Sequence, residues 1–239
     1  MEKDVLVDIL ISTDELASTA FVKKGKIYTF LNPVSYLDAV KHKELFSQFD
    51  GIFADGALVV KMINIFYHKM IEKKEFDMSS MARDLFNYAV DNDKSIYIIA
   101  SKQDEIEKAV GKIKNEYPNL RIIGFRSGYF KDTQEECSAI SKVISLSPDY
   151  LIVGMGAVKQ EEFLLKAKKS GFEGIGFTCG GFITQTANYA TGIDYFPDWT
   201  VRYNVRFIYR LFKEPHTRTR YLKAVFLFPY RFVLNKYGL

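Results

Sequence analysis

The stretch YLIVGMGAVKQEEFLLKAKK, residues 150–169, decides the fold. Tyr150–Gly154 is a short, partly β-branched apolar run, the signature of a buried strand. Gly154-Met155-Gly156-Ala157 breaks it, and from Lys159 apolar residues return at three- and four-residue spacing, as in an amphipathic helix over Lys159–Ser170. The same alternation runs along most of the chain. Strands are expected at Val7–Ile11, Ile27–Leu31, Gly51–Ala54, Ser95–Ala100, Arg121–Phe125, Tyr150–Gly154 and Gly174–Thr178. Helices are expected at Val34–Phe49, Ala57–Lys73, Ser80–Asn92, Gln103–Tyr117, Thr133–Leu146 and Lys159–Ser170; Met81, Leu85, Tyr88 and Ala89 illustrate the spacing. Strands that alternate with helices give an α/β fold, a parallel sheet covered by helices on both faces.

The chain has 239 residues, 48% of them hydrophobic, enough for a sizeable core. Its net charge of +4 conceals an asymmetry. From Arg202 onward there are six Arg, three Lys and one His against a single acid, Glu214, and the rest of the chain is slightly acidic. The composition shifts near Tyr195–Pro197, which divides the chain into an α/β core over residues 1–196 and a basic, amphipathic helical appendage over 197–239. The appendage mixes Arg202, Arg206, Arg210, Arg218, Arg220 and Arg231 with Phe, Tyr and Leu. Such helices lie in a headgroup layer, and guanidinium forks bind phosphate oxygens in pairs; a solvated helix with ordinary surface charge would look similar. Tyr221, Val225, Phe228, Phe232 and Val233 would form the lipid-facing stripe, with a restart of the helix at Pro215. Cys137 and Cys179 form no CxxC pair, so a reducing compartment is expected. No signal peptide is expected at the N-terminus, and no run approaches the ~18–20 apolar residues of a membrane span.

In an open parallel sheet, ligands bind where strands end and helices begin. Four segments place polar or glycine residues there: Asn32-Pro33, Ala54-Asp55-Gly56, Gly154-Met155-Gly156 with Lys159-Gln160, and Cys179-Gly180-Gly181 followed by Thr184. Asp55 follows an apolar run and precedes a helix. It could serve as a partly desolvated general base or as a helix N-cap. Gln160 could bond a ligand or sit on the surface of a first helical turn. Gly154 and Gly156 could admit a phosphate or sugar to a helix N-terminus, or close an ordinary turn. They do not form a dinucleotide fingerprint, since the third glycine is missing. Tyr129 could stack on a base or pack in the core. The three histidines are scattered, which gives no support to a Ser/His/Asp triad or a zinc site.

Taken in order, LNP at 31–33, FADG at 53–56, GYF at 128–130, VGMGAVKQE at 153–161 and YRLFKEPHTRTRY at 209–221 resemble the WecG/TagA/CpsF family of bacterial glycosyltransferases. The resemblance spans about Val5 to Arg231. It implies a Rossmann-like fold with a membrane-associating C-terminal appendage. It implies inverting transfer of an N-acetylmannosamine-type or related sugar from a UDP donor to a polyprenyl-diphosphate-linked saccharide, with no cofactor and no obligatory metal. Asp55 then matches the catalytic base and Asn32 a polar neighbour. Gln160 matches a sugar-nucleotide contact and Tyr129 a residue near the uracil. Arg210 and Arg220 match appendage arginines that hold diphosphate; a third falls at Thr217, with Arg218 beside it. Lys159, Gly154, Gly156, Gly180, Gly181 and Thr184 complete the expected binding set.

Three departures bear on the sugar rather than on the reaction. Phe30 stands where the family has Thr, with Thr29 one place earlier. The segment Gly180–Gln185 lacks the family's Asp. No arginine stands around Lys73–Ser80. A non-catalytic nucleotide- or lipid-binding module on the same fold is the alternative reading. Nucleic acid is not an expected partner, because the apolar content of the tail fits lipid better. The expected setting is the cytoplasmic face of the membrane, peripherally attached to an anionic surface, with apolar surface near the tail that would favour a homo-oligomer.

Overall fold

The computed structural model describes residues 4–189, 192–203, 206–213 and 218–237. Six strands form one sheet: β1 (Ile27–Leu31), β2 (Gly51–Ala54), β3 (Ser95–Ala100), β4 (Arg121–Arg126), β5 (Tyr150–Gly154) and β6 (Ile175–Thr178). Their order is β2-β1-β6-β5-β3-β4, and every neighbouring pair is parallel. Successive strand residues point to opposite faces, so the sheet separates two cores. On one face Ile27, Leu31, Ile52, Tyr97, Ile99, Leu151 and Val153 are buried. They lie under α1 (Val5–Leu16), α2 (Pro33–Lys41), α3 (Lys43–Phe46), α4 (Ala57–Tyr67), α7 (Thr133–Leu146) and α8 (Lys159–Lys169). On the other, Tyr28, Phe30, Phe53, Ile96, Ile98, Ile152 and Phe177 meet α5 (Met81–Asp91), α6 (Gln103–Glu116) and α9 (Phe182–Asn188). The α/β reading, with helices on both faces, holds.

The stretch expected to be the first strand, Val7–Ile11, is instead part of α1. Leu6, Val7 and Leu10 are fully or almost fully buried at one-turn spacing, and a five-residue apolar run is compatible with either period. The helix covers the edge strand β2. Its Thr13 hydroxyl accepts a hydrogen bond from Ile52 N–H at 2.9 Å, a donor that a further strand would otherwise take. Two expected helices are shorter than their apolar patterns. Val34–Phe49 is interrupted at His42, and Ala57–Lys73 stops at His68, which is left-handed at φ +52°. The residues beyond His68 form a loop along the outer edge of β2, where Lys74 N–H donates to Ala54 C=O at 2.9 Å.

The C-terminal segment forms α10 (Asp198–Arg202), α11 (Arg206–Lys213) and α12 (Arg218–Tyr237). Pro215 and Thr217 lie outside the described residues. The expected lipid-facing stripe is corrected by the packing. Phe228 and Phe232 are fully buried against Tyr36, with ring centroids 5.0 and 5.6 Å away, and belong to the core under α2. The apolar side chains that α12 exposes are Leu222, Val225, Phe226, Leu227 and Tyr230. No helix among the described residues is long and apolar enough to cross a membrane.

Candidate active site

The carboxyl edge of the sheet gathers most of the expected residues. There α6 leaves β3 toward one face while α8 leaves β5 toward the other, and α2 and α9 part in the same way from β1 and β6. Crevices at such switch points are where open α/β sheets bind ligands.

Asp55 and Asn32 are neighbours across the ends of β2 and β1. Asp55 N–H continues the ladder to Leu31 C=O at 2.9 Å. Asn32 caps α2: its Oδ1 accepts from Val34 and Ser35 N–H at 3.0 Å each. That fixes which way the amide points, and its Nδ2 donates to Asp55 Oδ2 at 3.3 Å. The capping residue thus orients the carboxylate. The N-cap position of α4 falls on Gly56, at φ +101°, rather than on Asp55; a left-handed turn of this kind suits glycine. Asp55 is half-buried, so its carboxylate is both partly desolvated and reachable.

Gln160 is buried, not on the surface of a helical turn. Its Oε1 accepts from Gly180 N–H at 3.2 Å, and its Nε2 donates to Glu161 Oε1 at 2.9 Å. One side chain thereby ties the glycine turn after β5 to the one after β6. Glu161, 1% exposed, also accepts from the Thr29 hydroxyl at 2.7 Å and from Val158 N–H at 2.7 Å. Burial pushes its carboxyl up from the usual carboxylate range, against the bonds from Gln160 and Thr29. Val158 sits at φ +73°, a strained conformation for a β-branched residue, and Glu161 is what holds it there. Thr29 spends its hydroxyl on Glu161 and Thr178, while Phe30 packs on Phe53 and Phe76.

Gly154 is explained by protein packing: a Cβ there would stand 2.6 Å from Cys179 Sγ. Burial pushes the Cys179 thiol up to about 12. Gly156 and Gly180 are left-handed and have open space around them. Gly181 and Lys159 are exposed, Lys159 as the first residue of α8. Thr184 pairs with Ser101 at 2.6 Å between their hydroxyl oxygens, beside the end of β3. In the GYF segment Phe130 is the anchor, stacked on Phe163 at 5.5 Å and with the Arg126 guanidinium over its ring, 4.4 Å from the centroid. Tyr129 is left 68% exposed, rather than packed in the core.

Arg218 and Arg220 open α12 and are exposed. Arg210 lies in α11, and its side chain is outside the described residues. Two residues near the end of β2 stood outside the expected site set, Lys73 unremarked and Arg206 only as one of the basic residues of the C-terminal segment. Lys73 is carried to the end of β2 by the Lys74–Ala54 bond and lies 3.4 Å from Glu75. Burial, then the Arg206 guanidinium, hold Lys73 below its ordinary range, while Asp77 and Asp55 pull it the other way. Arg206 is only 8% exposed and bonds Glu75, Asp77 and Ser79. The sequence gives no signal for the pairing of Arg206 with this loop, which depends on a loop meeting a distant helix. Among the described residues no group of three His, Cys, Asp or Glu side chains converges as a metal site would.

A doubly wound sheet with an oriented carboxylate and open glycine turns at its carboxyl edge is the layout of an α/β enzyme. The chain belongs to the glycosyl transferase WecG/TagA/CpsF family, whose family model matches residues 8–239, and it is a glycosyltransferase. It is 40% identical over 207 residues to a UDP-Gal:alpha-D-GlcNAc-diphosphoundecaprenol beta-1,4-galactosyltransferase of Shigella boydii, covering 87% of this chain and 85% of that one. It is 26% identical over 196 residues to an N-acetylglucosaminyldiphosphoundecaprenol N-acetyl-beta-D-mannosaminyltransferase of Bacillus subtilis (strain 168), covering 81% and 73%. A protein of that same name from Staphylococcus aureus (strain MW2) is 24% identical over 193 residues, covering 81% and 72%.

Proposed function

We propose that the protein transfers galactose from UDP-galactose to the sugar of a polyprenyl-diphosphate-linked N-acetylglucosamine, with inversion, in the synthesis of a cell-surface polysaccharide. The Asn32–Asp55 pair carries the reading. A carboxylate held by an amide at the open edge of the sheet is placed to take the proton of the acceptor hydroxyl. The acceptor oxygen then attacks the anomeric carbon. The bond from that carbon to the diphosphate oxygen breaks, and UDP leaves with the electron pair while the proton stays on Asp55. Lys73, Lys159 and the helix N-termini at the glycine turns would meet the charge growing on UDP, a preorganised role that can stand in for a metal. Tyr129, exposed on an anchored loop, suits stacking on the base.

The choice of galactose rests on the 40% identical relative. The missing carboxylate in Gly180–Gln185, a departure from the family's usual pattern, leaves room for a sugar other than N-acetylmannosamine. N-acetylmannosamine is the second reading, favoured by the more distant relatives. The exposed face of α12, with Phe226 and Leu222 beside Lys223 and Arg231, suits peripheral attachment to the anionic inner face of the membrane. There Arg210, Arg218 and Arg220 would reach the diphosphate of the acceptor. The test is mass spectrometry of products made from UDP-galactose, UDP-N-acetylglucosamine and UDP-N-acetylmannosamine with a short-chain prenyl-diphosphate N-acetylglucosamine, with and without EDTA. A β-linked hexose product that survives EDTA is expected. Absence of any product, or loss in EDTA restored by Mg²⁺ or Mn²⁺, would overturn the reading.

A further inference from the structure

The most heavily paired buried cation in the described structure is not at the end of a strand. Arg206 comes from α11, in the appendage, yet its guanidinium enters the loop at 75–79. It pairs with Glu75 and with Asp77, the latter at 2.6 Å, and donates to the Ser79 hydroxyl. Its flat face lies 5.1 Å from the Phe196 ring centroid. One turn further along the same face of α11, Tyr209 packs edge-on to Tyr195 and Phe196, at 5.7 and 6.2 Å. The loop that receives Arg206 is the one that carries Lys73 past the end of β2, the strand that Asp55 follows, pinned by the bond from Lys74 N–H to Ala54 C=O. Glu75 and Asp77 keep only 12% and 14% of their side-chain surface in contact with solvent. Two carboxylates at that depth need a cation, and Lys73 is the other one within reach.

We propose that Arg206 is a positioning residue for glycosyl transfer. By neutralising Glu75 and Asp77 it limits Lys73 to its single 3.4 Å contact with Glu75, so that the loop keeps its course past the end of β2, where Asp55 and the departing diphosphate would meet, and it seats α11 on that loop. Without Arg206, Lys73 is left to neutralise Asp77 as well as Glu75, which pulls it and its loop out of place, and α11 loses its anchor on the loop. The device couples the appendage to the chemistry through a contact that touches no substrate.

The proposal rests on the transfer reading above, and two readouts in the full-length protein separate them. The first is limited proteolysis within residues 192–213, which needs no turnover. The second is kcat and KM with UDP-galactose and the short-chain acceptor. Arg206→Met should expose the segment to cleavage and lower kcat roughly 100-fold, the scale of a catalytic group misplaced by about 1 Å, with the KM for donor little changed. Arg206→Lys keeps the charge but cannot bond all three partners, so it should recover part of both. Arg206→Met combined with Glu75→Gln and Asp77→Asn removes the stranded charges and should restore protease resistance and most of kcat. Wild-type kcat and wild-type resistance in Arg206→Met would overturn the proposal. So would a triple variant that is protease-resistant yet as slow as the single one, since Arg206 would then act on substrate directly. If the wild type transfers no sugar from any donor while Arg206→Met still frees the segment, the transfer reading falls and the latch stands.

Discussion

Two phenylalanines two residues apart on α12 separate its structural role from the membrane contact proposed for it. Phe228 is fully buried against Tyr36 and Phe232, whereas Phe226 is 78% exposed. Phe228→Ala removes a core ring, which costs about 3–5 kcal/mol when the cavity cannot collapse. A chain of this length loses about 2–4 °C of Tm per kcal/mol, so the melting temperature should fall by roughly 6–20 °C. Phe226→Ala removes nothing from the core and should leave Tm within about 2 °C, because exposed substitutions stay within about 0.5 kcal/mol. If the exposed face enters lipid, the same change forfeits about 1.5–3 kcal/mol of apolar transfer, and binding to anionic vesicles should weaken about 10- to 100-fold. Thermal melts and vesicle sedimentation on both variants make the comparison. Should Phe228→Ala melt like wild type and lose vesicle binding, the packing of α12 on α2 would be wrong. Should Phe226→Ala bind vesicles as wild type does, the lipid-facing role of this face would fall.

Asp55→Asn preserves size and the contact with Asn32 but cannot take a proton; transfer should drop roughly 10²–10⁴-fold with little change in Tm, and activity within a fewfold of wild type would require another base. At the opposite edge of the sheet, burial works against the Asp50 carboxylate, but Lys168, Lys26 and Ile27 N–H outweigh it and hold the carboxyl below its usual value. A folded value below the unfolded one gives stabilisation that is complete above the ordinary carboxylate range and is lost as pH falls through the folded value. Tm should therefore decline below about pH 4, the unfolded carboxylate value, and Asp50→Asn should show a shallower decline; parallel curves would remove Asp50 from the acid response.

Legibility tracked how local the cause was. The strand, glycine turn and helix at residues 150–169 were readable because each rests on its own residues: strand β5 has the expected bounds, and α8 ends within one residue of expectation. Val7–Ile11 misled because the sequence cannot reveal that the run borders an edge strand, and only that position makes a helix with Thr13 inward the better cover for β2. Asn32 and Asp55 were recoverable as candidates, since both sit at strand ends. Their mutual contact depends on β1 and β2 being neighbours in register, Leu31 opposite Ala54. The burial of Gln160 follows from β5 and β6 being adjacent, which brings Gly180 within its reach.

The appendage shows why residue patterns stop short of function. On α12, Ala224, Phe228 and Phe232 repeat at four residues and so do Leu222, Phe226 and Tyr230, on different faces. Either series could face the core, and the hydrophobic period alone gives no preference. Tyr36 decides, because the ring it presents on α2 must be covered. Charge carries the same ambiguity. Arg206 and Arg220 are indistinguishable in a list of basic residues, yet one lies buried among two acids and the other is exposed. A buried arginine costs stability unless fully paired, whereas an exposed one costs almost nothing. The pairing of Arg206 with Glu75 and Asp77 is therefore a constraint on where α11 can sit. Because the paired loop also bonds the end of β2 through Lys74 and Ala54, a shift of α11 would be felt next to Asp55, the residue that follows Ala54.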